Sequence, residues 1–255
     1  MKRVLFAFLV VVLALSLSGG IVSAQPDKPI TPPQLKQVIL IHYAQPDGLP
    51  GKPGKPPPEE KVYTNYKLLG PKWVSLPVSY VIDPDYGPAG AAAEVYEAFE
   101  AWDDATSAEL YNDTYGVDPN ATPSTQSPDF KNVVCWRIIA GYPNAIALTS
   151  IWYLDMTGDE MSPDDEMQDC DVIFNLKYKW GVDPDGTGPL QLPKGYYDVC
   201  NIATHEAGHV TGLADLYDSV DSEMTMYGYS AAKETKKITL EIGDVAGAQE
   251  LYGKP

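Results

Sequence analysis

Asn201-Ile-Ala-Thr-His-Glu-Ala-Gly-His-Val-Thr-Gly-Leu-Ala-Asp215 is the stretch around which this chain of 255 residues is organised. His205 and His209 stand one helical turn apart, so a helix here projects both imidazoles from one face, about 6 Å apart along the axis. That spacing suits two ligands of one metal ion. Glu206 lies between them, rotated off their face, where a carboxylate reaches a water at the metal rather than the metal itself. Gly212 adopts positive φ without penalty, so it ends the helix and turns the chain back. Asp215 then arrives as the third ligand. The chain has three histidines, and the remaining one, His42, lies far upstream in a proline-rich region. Two imidazoles and a carboxylate with one open position form a catalytic rather than a structural zinc arrangement. Should the third ligand lie elsewhere, His42 and Asp218 are the next candidates.

The N-terminus has the physics of a secretory signal. Lys2 and Arg3 supply a positive start, Val4 to Leu17 an apolar run shorter than a membrane span, and Val22-Ser23-Ala24 a small-residue cleavage site. Removal of residues 1–24 leaves about 230 residues, enough for one globular domain with an extension. From 25 to 71 the composition turns proline-rich, as in Gly48-Leu-Pro-Gly-Lys-Pro-Gly-Lys-Pro-Pro-Pro58, which favours a linker or propeptide. Within it, Gln37-Val-Ile-Leu-Ile-His-Tyr43 is apolar and β-branched enough to dock as a strand, with His42 read as a strand residue. The domain proper is expected over 72–255. Its strands include Val78–Ile82, Asn132–Ile139, Ala145–Tyr153 and Asp171–Asn175, and an amphipathic helix over Ala89–Ala105 carries Ala92, Val95, Phe99 and Trp102 on one stripe. The net charge of −17 argues against nucleic acid and against an anionic membrane as partners. No stable membrane association is expected once the signal is removed, and the chain is expected to act as a monomer.

The run His205 to Asp215 resembles the zinc-binding signature of the metzincin metallopeptidases, and most closely of the matrixin family. Met224-Thr-Met-Tyr-Gly-Tyr229 resembles the Met-turn beneath the metal, and Leu240 to Gly253 is similar to the closing helix of matrixin catalytic domains. The resemblance implies an α+β fold: a twisted mixed sheet with an antiparallel edge strand, a zinc-site helix and a C-terminal helix. It places Met226 as a hydrophobic floor under the ligands. It makes Ala145, Ile146, Ala147 and Leu148 the edge strand above the cleft, whose free backbone groups pair with a peptide substrate. Tyr227 and Tyr229 shape the pocket or simply pack, and Gly228 stands where the family usually has proline. Matrixins often hold themselves latent through a propeptide cysteine, but no cysteine precedes Cys135 here. If the N-terminal segment inhibits, it does so by another contact.

With zinc bound, Glu206 is expected to act as general base in the hydrolysis of peptide bonds of protein or peptide substrates. The competing reading is a secreted metal-binding or adhesive module without turnover, against which the presence of Glu206 argues. The acidic run Asp155 to Asp171 is a candidate for calcium, although it lacks a regular calcium-loop motif and reads more readily as a solvated loop. Among the three cysteines, a Cys170–Cys200 bridge would tie that run to the start of the zinc helix, with Cys135 as a buried thiol; three pairings are open.

Overall fold

The alternating apolar runs pair into one sheet, and the helical run at 199–211 is laid across it. The computed structural model describes residues 32–46, 63–159, 161–183 and 192–255; the signal at 1–24 and the stretch at 47–62 lie outside them. The elements are β1 (Gln34–Ala44), β2 (Tyr80–Ile82), α1 (Ala91–Asp103), β3 (Gly116–Val117), β4 (Asn132–Arg137), β5 (Ala145–Asp155), β6 (Glu166–Asn175), β7 (Lys179–Gly181), β8 (Tyr196–Asp198), α2 (Val199–Thr211), β9 (Tyr229–Ser230) and α3 (Ile242–Tyr252). Seven strands form the sheet in the order β3-β2-β4-β6-β5-β1-β9, and β7 and β8 pair separately. Strand β5 is antiparallel to both neighbours, whereas the other pairings in the sheet are parallel. The result is the mixed sheet with a site helix and a closing helix that the resemblance implies.

Helix α1 buries Ala91, Val95, Ala98, Phe99 and Trp102, the i, i+4, i+7 and i+8 spacing of a stripe facing a core. It packs on α2, where the Trp102 indole donates to the Thr204 carbonyl at 2.8 Å. All thirteen residues of α2 are buried. Its N-terminus is capped by Asp198, whose side chain accepts from Asn201 N at 2.8 Å, satisfying one of the free first-turn amides. Its C-terminus ends at Gly212, where φ is 115° and the amide donates to the carbonyls of Gly208 and His209. A residue with a Cβ is strained at that φ.

Two expectations change once the chain is folded. Ala145–Leu148 does not lie at the sheet's edge, because β1 covers its outer side from Gln34 opposite Asp155 to Tyr43 opposite Ala145, with a register slip at Ile146. The four residues are accordingly buried. Nor do Cys170 and Cys200 form a bridge: all three cysteines are buried free thiols. Cys170 sits on β6 within the core, and Cys200 lies in the first turn of α2, so each is held by its own element. Burial raises the Cys170 thiol far above its usual range and pushes Cys135 and Cys200 up to about 12.

Four carboxylates of the acidic run accept from backbone amides, although Asp169 Oδ1 is left without a partner among the described residues. Asp155 accepts from the amides of Thr157 and Gly158 and from Lys36 Nζ, and Asp165 from those of Met156 and Ser162. Asp169 accepts from Asp129 and Phe130, and Asp171 from Ser124 and Val133. Among the described residues, these carboxylates form no converging group of metal-ligand geometry. They serve as caps for turns and strand ends.

Candidate functional site

The helical spacing of His205 and His209 and the turn at Gly212 bring three side chains to one point. His205 Nε2 lies 3.2 Å, and His209 Nε2 3.7 Å, from Asp215 Oδ1. Each ring is oriented through its other nitrogen: His205 Nδ1 donates to the Thr225 carbonyl at 2.7 Å and His209 Nδ1 to the Leu213 carbonyl at 2.8 Å. With the Nδ1 hydrogens so engaged, both Nε2 atoms present lone pairs to the centre. Asp215 Oδ1 does likewise, and all three atoms are buried without a hydrogen-bond partner. Three converging electron pairs out of water repel one another unless a cation sits between them. The donor set is also that of a catalytic zinc site, so the residues present fit a zinc ion. Asp215 Oδ2 accepts from the Tyr217 hydroxyl at 3.1 Å, which fixes the carboxylate.

Glu206, fully buried, is not among the three converging groups, but a carboxylate oxygen of it lies within 4.8 Å of a ring nitrogen of His205 and of one of His42. Its Oε2 accepts from the Thr149 hydroxyl of β5 at 2.5 Å. Its Oε1 lies 3.1 Å from His42 Nδ1 on β1, and the His42 ring stacks at 3.7 Å between centroids on that of His205. His42 Nε2 is 3.0 Å from Ser230 Oγ, whose hydroxyl donates to Glu234 Oε1 at 3.0 Å. Because the one Ser230 proton is committed to Glu234, Nε2 carries the hydrogen on that side, and Glu206 supplies the one shared with Nδ1. Burial favours this assignment: it pushes Glu206 up to about 8, against the Thr149 hydroxyl bond, and pulls His42 well below its usual range. Thus His42, expected to be a strand residue, is on a strand and also faces the site.

Met226 packs against α2 at Gly208. A Cβ on Gly208, midway along α2, would collide with Met226 Sδ and come within 2.7 Å of Trp102 Cζ2, so only glycine permits that approach. Tyr227 is buried, while Tyr229 is half-buried with its ring 5.7 Å from Tyr227, 5.5 Å from Tyr217 and 6.5 Å from Tyr43. Gly228 between them has no room for a side chain. A Cβ there would lie 2.8 Å from Tyr217 Cζ and 2.9 Å from Asp215 Oδ1, which accounts for glycine where proline was the family expectation.

Two supporting residues escaped the sequence reading. Lys237, wholly buried, donates from Nζ to the carbonyls of Thr225 (3.0 Å) and Tyr227, one on each side of Met226. Its own amide donates to Asn201 Oδ1 of α2 at 2.9 Å. Asp244, in the first turn of α3, accepts from the amides of Thr225 (3.0 Å) and Met226 (3.3 Å) while closing the capping box with Glu241. Lysine is seldom buried unless paired, and nothing in the order of residues marks Lys237 as different from Lys236. Asp244 carried a local signal, a carboxylate three residues after Glu241 at a helix start.

A family model described as matrixin matches residues 154–253. The chain is 39% identical over 74 residues to metalloendoproteinase 1-MMP of Arabidopsis thaliana, and 42% identical over 53 residues to matrilysin of Felis catus. These segments are 29% and 21% of this chain, and it spans only 18% and 19% of the length of those relatives. The family match takes in β6, α2, the loop through Met226 and α3, and leaves β1 outside.

Proposed function

We propose that this chain, matrixin in kind over residues 154–253, is a zinc-dependent endopeptidase that hydrolyses peptide bonds and is exported by the signal at 1–24. The observation that carries the reading is the convergence of the unpartnered His205 Nε2, His209 Nε2 and Asp215 Oδ1 beside a buried carboxylate that is not among them. Zinc held there supplies Lewis acidity, bringing a water's pKa toward neutrality and polarising a substrate carbonyl.

The chain's own groups do the rest. Thr149 holds Glu206 by Oε2; Oε1, once parted from His42 Nδ1 and free of the proton it shares there, is the proton acceptor. As water adds to the scissile carbonyl carbon, its O–H bond breaks toward Oε1. The same proton then passes to the amide nitrogen as the C–N bond breaks, and the water's second proton follows to that nitrogen, which yields a carboxylate and an ammonium with no covalent intermediate. Burial of Glu206 serves this role, because a carboxyl with a raised pKa both takes and returns a proton near neutrality.

Glu206→Gln tests the assignment. The variant is expected to bind one zinc per chain, as the parent does, and to cleave an unfolded protein about 10²–10⁴-fold more slowly. Undiminished cleavage with zinc in place would remove Glu206 from the mechanism.

A further inference from the structure

Strand β1 lies where a substrate would. From His42 to Gln45 the main chain is held on both sides. Ala44 N donates to Asn144 O at 2.9 Å at the head of β5, while Tyr43 N donates to Gly228 O at 3.2 Å and Gln45 N to Ser230 O at 2.9 Å. The segment runs antiparallel to β5 and parallel to β9. Main-chain bonds of this kind fix an extended segment and its direction while tolerating many side chains. They form a slot bounded by β5 and by Gly228–Ser230, and the slot ends at Glu206 and the histidine ligands.

The side chains of β1 fit the same position. Val38, Leu40 and Ala44 pack on the main core, whereas Ile41 joins a cluster with Val133, Cys135 and Ile173 on the sheet's other face. His42, on the face of Leu40, lies over the site: it engages Glu206 Oε1 and its ring centroid is 3.7 Å from that of His205, so it occupies the ground between base and ligand. Docking is deepest there, since Ile41 and His42 are buried while Leu35 and Ile39 stay exposed toward the other end. Gln37 Nε2, donating to Ser150 Oγ at 2.9 Å and Thr125 O at 2.6 Å, helps hold the register.

We infer that Gln34–Ala44 is a pseudosubstrate strand built into the chain, which fills the peptide slot between β5 and β9 and shuts the site with His42. Its release exposes the same slot to an extended peptide of a second protein, bound in the same direction. This rests on the peptidase reading. It differs from that reading in what it requires: Glu206 and the ligands can be competent while β1 covers them.

Two single substitutions in the full chain test it. Leu40→Asp puts a carboxylate against the core and unseats the strand; His42→Ala removes its contacts to Glu206, Ser230 and His205 and so loosens its end at the site. Amide exchange over 34–44 and 145–155, bound zinc and cleavage of an unfolded protein are measured for both variants and the parent. Leu40→Asp is expected to lose protection over both segments, keep it over α1 and α2, retain zinc and cleave at least tenfold faster. A synthetic peptide of residues 34–46 added in trans is expected to restore protection over 145–155 and slow cleavage. An unseated strand with zinc retained and cleavage no faster than the parent's measurable rate would overturn the inference and leave the peptidase reading standing. No cleavage at all from a zinc-loaded, unseated variant would overturn the peptidase reading and the inhibitory role with it. Should Leu40→Asp fail to fold, His42→Ala decides: a severalfold rise with protection over 34–44 reduced supports the inference, and reduced protection with an unchanged rate overturns it.

Discussion

Asp215 contributes the only negative charge among the three converging groups, and its reach is set by a tight surround. Tyr217 bonds one of its oxygens and Gly228 leaves no space for a side chain beside the other, so it has little freedom to follow a displaced metal. Asp215→Ala is expected to lose zinc at low free metal and activity with it, read by metal analysis after dialysis. Asp215→His restores a nitrogen donor but must push a larger ring past Tyr217, so it should recover zinc and only part of the activity. Full zinc occupancy in Asp215→Ala would place the third ligand elsewhere. Lys237 acts at one remove, since the Thr225 carbonyl it binds is the one that orients His205. Partners of ligands at this distance typically contribute 10–100-fold to metal affinity. Lys237→Met is therefore expected to weaken zinc binding by about tenfold in competition with a chromophoric chelator. Burial pulls Lys237 from 10.5 down to about 8, so the folded chain gives up this proton before the unfolded chain does. Stability from this group should rise with pH between those two values, and the methionine variant should lack that rise.

Helix α2 is held by neighbours on every side, which makes its small residues as consequential as its ligands. Trp102 and Trp73 donate to its carbonyls at Thr204 and Val210, and Tyr111 bonds Thr211 Oγ1 at 2.9 Å. Gly208 admits Met226 and Trp102 against the backbone. Gly208→Ala favours the helix by propensity, by roughly 1 kcal/mol, yet inserts a methyl where Met226 and Trp102 already touch. Overpacking of this kind costs about 1–3 kcal/mol, so the net expectation is destabilisation with Met226 displaced under the zinc. A lower urea midpoint accompanied by weaker zinc binding is the expected result, and a raised midpoint would refute it. Strand β5 shows the same dependence on context: its eleven residues are almost all buried because β1 and β6 flank it and the core covers it.

For the molecule as a whole, the three converging donors and β1 bring together parts of the chain that are distant in sequence. The candidate zinc ligands lie on α2 and the loop after it, their supports on the Met226 loop, the Lys236–Ile238 turn and α3, and the proposed cover on β1. Binding confined to the folded state stabilises it by RT ln(1 + [L]/Kd), about 4 kcal/mol at free zinc a thousandfold above Kd. For a domain of this size that corresponds to a fall in Tm of roughly 10 °C on chelation, reversed on adding zinc back. Scanning calorimetry with and without a chelator checks it, and an unchanged Tm would mean that the three orphaned donors hold no metal. Among the described residues no helix is long and apolar enough to cross a membrane.

What the order of residues determined by itself is the part governed by short-range geometry. The 3.6-residue turn puts His205 and His209 on one face and Glu206 off it, and a glycine with positive φ at 212 returns Asp215 to them. The apolar stripe of α1 follows from the same periodicity, and Gln37–Tyr43 announced a strand by its β-branched residues. Where that strand pairs was not legible. His42 meets Glu206 across 164 positions and Ser230 across 188, and no local pattern encodes a partner at that distance. A strand with half-buried residues pairs with whichever edge its faces complement, and β5 offered backbone groups that an edge leaves unpaired. The buried Lys237, the separate cysteines and the carboxylates of 155–171 bound to backbone amides were hidden for the same reason. A charged or polar side chain has the same spelling in solvent and in the core, and only the assembled tertiary structure decides which of its potential partners comes within hydrogen-bonding distance.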